Sequence, residues 1–163
     1  LWQSLKDKPL EYMDANLLEL LPEDIFFEQS FKSEKDSRIF VRNALKMMRL
    51  KGTVFERQID ACVRIMWMYF SCKKLNCRFE VVSGNSCETF HTDTINARLI
   101  LTCSGQGTEV INANKPSQLY RVPMGQPILL KGSCYPGFEP VLLHRSPSVK
   151  GRGLKRLLFI ADY

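Results

Sequence analysis

Histidine is nearly missing from this chain: its 163 residues contain only His91 and His144. Any site that needs two imidazoles must therefore use both. Also missing is a run long and apolar enough to cross a bilayer, and no basic segment followed by an apolar one opens the chain. No membrane partner is expected, and a cytoplasmic location is. The six cysteines form no paired C-x2-C knuckle, and Cys72 and Cys77 stand five apart, which is not a usual zinc spacing. They do not match a small secreted scaffold either. Reduced thiols in an intracellular protein are expected, several acting as small buried apolar groups. No Ser-His-Asp pattern stands out. Ser104-Gly105-Gln106-Gly107-Thr108 lacks the helix and lysine that follow a phosphate loop, so it reads as a tight turn between strands and argues against nucleotide binding. Without a linker, repeat or low-complexity segment, residues 1–163 are expected to form one composite domain.

What is present is ordinary in amount. Hydrophobic residues make up 45% and charged residues 25%, which is enough for a core without staples and makes no case for disorder. Lysine and arginine (23) exceed aspartate and glutamate (17), a net charge of +6 that suits an anionic partner such as nucleic acid or a small carboxylate. The basic residues are scattered, however. Their densest group, Lys150-Gly151-Arg152-Gly153-Leu154-Lys155-Arg156, reads as a solvated loop, so support for nucleic acid is weak.

Hydrophobic spacing divides the chain into a helical layer, 1–76, and a β part, 77–163. Leu10, Met13, Leu17, Leu18 and Leu21 predict a helix that Pro22 stops. Ser33-Glu34-Lys35-Asp36 caps a second helix whose apolar set runs from Ile39 to Met48. A third begins near Thr53, where Phe55, Ile59, Val63, Met66 and Phe70 mark a core-facing stripe widened by Cys62 and Trp67. Beyond Asn76 come short β-runs separated by Gly, Pro, Asn and Ser, predicting strands at 78–83, 89–93, 97–103, 109–112, 118–122, 128–131, 141–144 and 154–161. No helix-length connection lies between them, which excludes βαβ units. The expected class is α+β: N-terminal helices packed on an eight-stranded, cupin-like jelly-roll barrel, the double-stranded β-helix.

In a strand, residues two apart face one side. In Phe90-His91-Thr92-Asp93 an imidazole nitrogen and a carboxylate oxygen can thus meet at one point, and His144 is the only histidine left to add a third ligand. Two histidines and one carboxylate on one face of a metal are typical of non-haem Fe(II) oxygenases. His91 and His144 would fall on the second and seventh strands, with open metal positions at the mouth of the roll. Cys87, four residues before His91, is an additional candidate ligand that would shift preference to zinc.

An oxygenase using 2-oxoglutarate also needs a cation for the far carboxylate, and arginine's planar fork suits it. Arg156, opening the last strand, and Arg98, on one face with Ile100 and Thr102, are the candidates; Lys155 and Arg152 are neighbouring options. Thr102 and Arg145 are carried as additional site candidates, although Arg145, adjacent to His144, is expected to face the other way in an ion pair.

These residues resemble a family. Phe90-His91-Thr92-Asp93, Arg98-Leu99, Thr102 with Gly105-x-Gly107-Thr108, Val122-Pro123-x-Gly125, Leu130-Lys131-Gly132 and His144-Arg145-Ser146-Pro147 are similar to the bacterial domain-of-unknown-function 1826 family. The similarity covers 78–163 well and the helical part loosely. This chain departs from it at Cys103, Gln106 and Val110, where a Tyr, a Pro and a Trp would stand. The H-x-D…H order and the strand count more distantly resemble the cupin and Fe(II)/2-oxoglutarate dioxygenase superfamily. That resemblance implies a metal-dependent oxygenase with Fe(II) on His91, Asp93 and His144. Alternatives are a zinc-binding cupin-like protein without oxygenase activity and a non-catalytic binding module for an anionic partner.

Overall fold

The computed structural model describes residues 26–50, 54–83, 87–147 and 154–163. In chain order the elements are β1 (Phe26–Phe31), α1 (Glu34–Met47), α2 (Val54–Phe70), β2 (Leu75–Val82), β3 (Ala97–Ser104), β4 (Glu109–Asn112), β5 (Lys115–Arg121), β6 (Pro127–Lys131), β7 (Leu142–Arg145) and β8 (Arg156–Asp162). The first predicted helix, over 1–21, lies outside the described residues, as do Lys150 and Arg152. No described helix is long and apolar enough to cross a membrane.

Two antiparallel sheets result, a larger one of order β1-β2-β8-β3-β6 and a smaller one of order β5-β4-β7. Period-two alternation divides the larger sheet into two unlike faces. Leu75, Cys77, Phe79 and Val81 of β2, Leu99 and Leu101 of β3, and Leu157 and Phe159 of β8 join one core with Val41 and Leu45 of α1 and Ile59 and Val63 of α2. Phe79 and Phe159 meet there with ring centroids 5.2 Å apart. The alternate residues Arg78, Glu80, Arg98, Ile100, Arg156, Leu158 and Ile160 turn away from the helices and line a cavity with residues of β7 and the segments beside it. Only a small apolar cluster, Val82, Ile100, Leu130, Leu158 and Ile160, covers the rest of this inner face. Charge and apolar packing are therefore segregated by strand parity, and the space between the sheets is left for chemistry.

The helices follow their sequence signals. Ser33 caps α1, accepting the Asp36 backbone N–H at 3.1 Å, and the chain leaves the helix through Arg49 in the left-handed region at φ 58°. On α2 the buried residues Phe55, Ile59, Cys62, Val63 and Met66 are the predicted stripe, with Gln58 added. Trp67 Nε1 donates to Ser37 Oγ at 3.1 Å and Arg38 Nε to Asp60 Oδ1 at 2.5 Å, tying the two helices together.

The architecture corrects the expectation in three places. Residues 26–31 form a strand inside the part read as purely helical; Phe-Phe-Glu-Gln-Ser-Phe has no clean alternation because β1 is an edge strand paired only to β2. Residues 89–93 form no strand, only a single bridge between His91 and His144. Cys87 at φ 51° breaks extended geometry before it, and after it the carbonyl of Asp93 is taken by the Ser133 N–H at 2.9 Å, drawing the chain off the sheet. Among the described residues five and three strands then remain, with no pairing between the sheets to close them into an eight-stranded barrel. The chain nevertheless alternates between layers: β2 lies in the larger sheet, His91 against the smaller, β3 in the larger, β4 and β5 in the smaller, β6, β7 and β8 in larger, smaller and larger.

Candidate metal centre

His91 and His144 are brought together by backbone. Each donates its N–H to the other's carbonyl at 3.0 Å, and the two rings stand 4.4 Å apart between centroids. Asp93 is placed by the loop that follows. Ser133 and Cys134 donate to the carbonyls of Asp93 and Ile95, and Gly132 lets this loop approach, because a Cβ there would lie 2.1 Å from the Ile95 oxygen.

One ligand atom from each of His91, Asp93 and His144 lies within 4.8 Å of the others. His91 Nε2 is 3.7 Å from Asp93 Oδ1, and His144 Nε2 is 3.2 Å from Asp93 Oδ2. His91 Nδ1 lies 2.8 Å from the Thr89 carbonyl, which can only accept, so Nδ1 carries the proton and Nε2 keeps its lone pair in the neutral ring. Asp93 Oδ2 is buried and faces His144 Nε2. A buried carboxylate beside two imidazoles offers a donor set N, N, O that fits a divalent metal.

The arginines differ sharply in their partners. Arg98 is committed to carboxylates: Nε and Nη2 donate to Asp162 at 2.7 and 2.8 Å, and Nη1 to Asp93 Oδ1 at 2.6 Å. Burial alone would push the Asp93 carboxyl up, but the neighbouring His144 and Arg98 outweigh it and hold the group below the usual carboxylate range. Arg156 is 1% exposed, and its guanidinium meets the Gln106 carbonyl at 2.6 Å, Ser146 Oγ at 3.1 Å and Thr108 Oγ1 at 3.3 Å, all neutral. Burial pulls its pKa down to about 10, so it remains a cation at neutral pH. Both arginines, with His91 and His144, line a cavity of about 160 Å³ between the sheets.

The remaining sequence candidates fall around this group. Cys87 Sγ lies 3.4 Å from His91 Nδ1 and does not belong to the three-ligand cluster. Thr102 is buried, and its carbonyl accepts the Gly125 N–H. Arg145 donates to Glu109 Oε2 at 2.8 Å and covers the Phe90 ring, its guanidinium carbon 4.3 Å from the centroid. All six cysteines are free. Sequence reasoning missed Asp162 and Glu109. Asp162 was within reach, since Arg156, Leu158, Ile160 and Asp162 share strand parity and Arg98 needed a carboxylate.

Glu109, 4% exposed, sits between Arg145 and Arg121, which donates to Oε1 at 2.5 Å. Burial would raise its pKa, yet the two arginine hydrogen bonds and charges lower it overall. A carboxylate with a depressed folded pKa contributes stability that is complete above its unfolded value, about 4.3, and lost as pH falls through the folded value. The melting temperature should accordingly fall below about pH 4, and Glu109→Gln should flatten part of that fall. An unchanged profile in the variant would show that the two arginines do not depend on this charge.

The fold and site thus define an α+β protein whose two antiparallel sheets bring a candidate His-Asp-His metal centre together. Within that class, the chain belongs to the family described as Protein of unknown function (DUF1826), whose model matches residues 7–162. No curated protein sequence matches it. Similar solved structures include hydroxypropylphosphonic acid epoxidase from S. wedmorenis, at 13% identity and TM-score 0.38, covering 55% of this chain and 43% of that one. Peruvianin-I, a cysteine peptidase from Thevetia peruviana latex, is similar at 17% identity and TM-score 0.37, covering 54% and 49%. Protein NMB1881 from Neisseria meningitidis is similar at 13% and 0.35, covering 54% and 72%. The matched region spans less than half of the first of these, and likenesses at such scores carry no argument about activity.

Proposed function

We propose that this protein is a metal-dependent oxygenase of the Fe(II) and 2-oxoglutarate type, with His91, Asp93 and His144 as the metal ligands and Arg156 as the anchor for the distal carboxylate of 2-oxoglutarate. The observation that carries the reading is the meeting of one ligand atom each from His91, Asp93 and His144 within 4.8 Å of one another, with Asp93 Oδ2 buried among them. Two imidazoles and a carboxylate are the donor set that suits Fe(II) with open positions. The alternation of the chain between layers supports a finer reading of the fold as a double-stranded β-helix, its second strand reduced to the bridge at His91.

Charge supports the co-substrate. The cavity lining holds Arg78, Arg98, Arg145 and Arg156 with one carboxylate, Glu80, while Asp93, Glu109 and Asp162 pair with Arg78, Arg98, Arg145 and Arg121. A divalent cation would add to this positive excess, which suits an entering dicarboxylate. Arg98 has no free fork and acts as a positioning residue for Asp93. The hydrogen bonds described for Arg156 all go to neutral acceptors, and Glu80 and Glu109 only partly offset its buried charge, which favours an entering carboxylate. Overall, a substrate C–H bond, dioxygen and 2-oxoglutarate give C–OH, succinate and carbon dioxide; one oxygen atom ends in succinate and the other in the hydroxyl. When bound, iron supplies the activation of dioxygen.

Succinate formation from 2-oxoglutarate is the direct test: it should need both Fe(II) and dioxygen and stop on chelation. Iron retained at the site with no succinate formed in a broad substrate screen would sink the 2-oxoglutarate reading. Zinc retained instead would favour the non-oxygenase alternative, for which the nearness of Cys87 Sγ to the His91 ring is the supporting contact.

A further inference from the structure

A second cavity, of about 310 Å³, is lined by Leu130 of β6, Leu142 of β7, Phe138 and Val141, with Lys131 and Glu139 among its walls. Its size falls at the lower end of the range for small-molecule sites. It shares no lining residue with the first cavity and is tied to the metal centre by both strands. Leu142 precedes His144 by two residues on β7, so the two side chains leave the same face roughly 7 Å apart. Leu130 is the register partner of Arg98, whose guanidinium holds Asp93.

The two cavities differ in chemistry. The smaller one is walled by four arginines and Glu80 beside the two histidines. The larger has one cation and one carboxylate, and the Lys131 ammonium is already engaged 4.6 Å above the Tyr135 ring. Val141 and Leu142 are 48% and 43% exposed; apolar side chains gathered in water next to a polar centre mark a surface that a ligand covers.

We propose that this second cavity receives the substrate that is oxidised, and that this substrate is a neutral, predominantly apolar small molecule that presents a hydrocarbon carbon to the metal centre. The assignment rests on the metal-centre reading above. Leu142 and Leu130 fix which part of the substrate lies nearest His144 and Asp93, and they exclude water from the bond to be oxidised.

The test uses the full chain with 4-fluorotoluene as the probe, followed by fluorine NMR with Mn(II) or diamagnetic Zn(II) at the metal centre. Saturable binding is expected, with the resonance broadened only by Mn(II). Leu142→Asp should weaken binding roughly tenfold or more, the worth of one buried leucine contact, while Mn(II) retention is unchanged. Val141→Asp, just outside β7, should do the same and guards against a folding defect in the first variant. Equal binding to wild type and both variants, no binding, or binding without Mn(II) broadening would each overturn the proposal. A protein that takes up no Mn(II) would overturn the metal-centre reading and, with it, the oxidation. Sensitivity of probe binding to Leu142→Asp in the metal-free protein would then show that the cavity itself still takes an apolar ligand.

Discussion

Metal-free protein is the expected product of either His91→Ala or His144→Ala, purified without chelator and reconstituted anaerobically with Fe(II). The wild type should retain close to one iron per chain under the same treatment. Metal affinity in small protein sites amounts to about 10–16 kcal/mol over four ligands, so one ligand is worth about 3 kcal/mol and its loss roughly 100-fold in affinity. In a three-ligand centre the remaining pair cannot hold the ion against buffer. The fold should survive both changes. The His91 to His144 bridge is made by backbone N–H and carbonyl groups, which alanine keeps, and neither side chain belongs to the main apolar core. Arg98→Lys offers a graded version. Loss of the planar fork that links Asp162 to Asp93 should weaken iron about 10- to 100-fold, the usual effect of removing a group that orients a ligand. Iron retained equally by wild type and both alanine variants, with circular dichroism unchanged, would show that the histidines hold no metal.

Arg156→Met should separate function from stability. The side chain is 1% exposed and its described hydrogen bonds go to neutral oxygens, so burial outweighs the attraction of Glu80 and Glu109 for its charge. A folded pKa lowered to about 10, below the unfolded value, has the same sign: at neutral pH the charge works against folding. Replacement by an apolar residue of similar length removes that cost but leaves the Gln106, Ser146 and Thr108 oxygens without this donor, so stability should change by no more than about 2 kcal/mol. Binding of 2-oxoglutarate should collapse at the same time. A charge-assisted hydrogen bond is worth about 1.5–3 kcal/mol, so loss of a two-pronged contact corresponds to roughly a 100-fold or larger rise in KM. Titration of 2-oxoglutarate into the Mn(II)-loaded protein, read as a thermal shift, reports this without turnover. A large loss of stability with an unchanged 2-oxoglutarate response would make Arg156 a structural residue.

Several features could be read directly from residue order. The 3.6-residue period of Phe55, Ile59, Cys62, Val63 and Met66 dictated α2, because one helical face had to be apolar to meet the core. Ser33 with Asp36 announced the start of α1, since the side-chain oxygen can reach only the local N–H groups. Glu109–Asn112 lies where the alternation placed it. The scarcity of histidine made His91 and His144 the necessary pair, and they do meet. β1 escaped notice because an edge strand is paired on one side and its pattern need not alternate.

Local pattern alone established that a helical segment precedes short strands and that His91, Asp93 and His144 are the residues to watch, because periodicity and residue chemistry act over a few neighbours. Three decisions belonged to the tertiary structure. Residues 89–93 made one bridge where a strand was expected, because competition with the 132–134 loop for the Asp93 carbonyl is not encoded nearby. Arg98 and Arg156 looked interchangeable, yet among the described residues only Arg98 is hydrogen-bonded to carboxylates. The difference arises from which strand lies next to which: β8 runs between β2 and β3, bringing Asp162 opposite Arg98 and leaving Arg156, at the other end of the same strand, among carbonyl and hydroxyl oxygens. The meeting of Asp93 with both histidines is likewise a property of three segments, since their ligand atoms come together only where the fold brings those segments within reach.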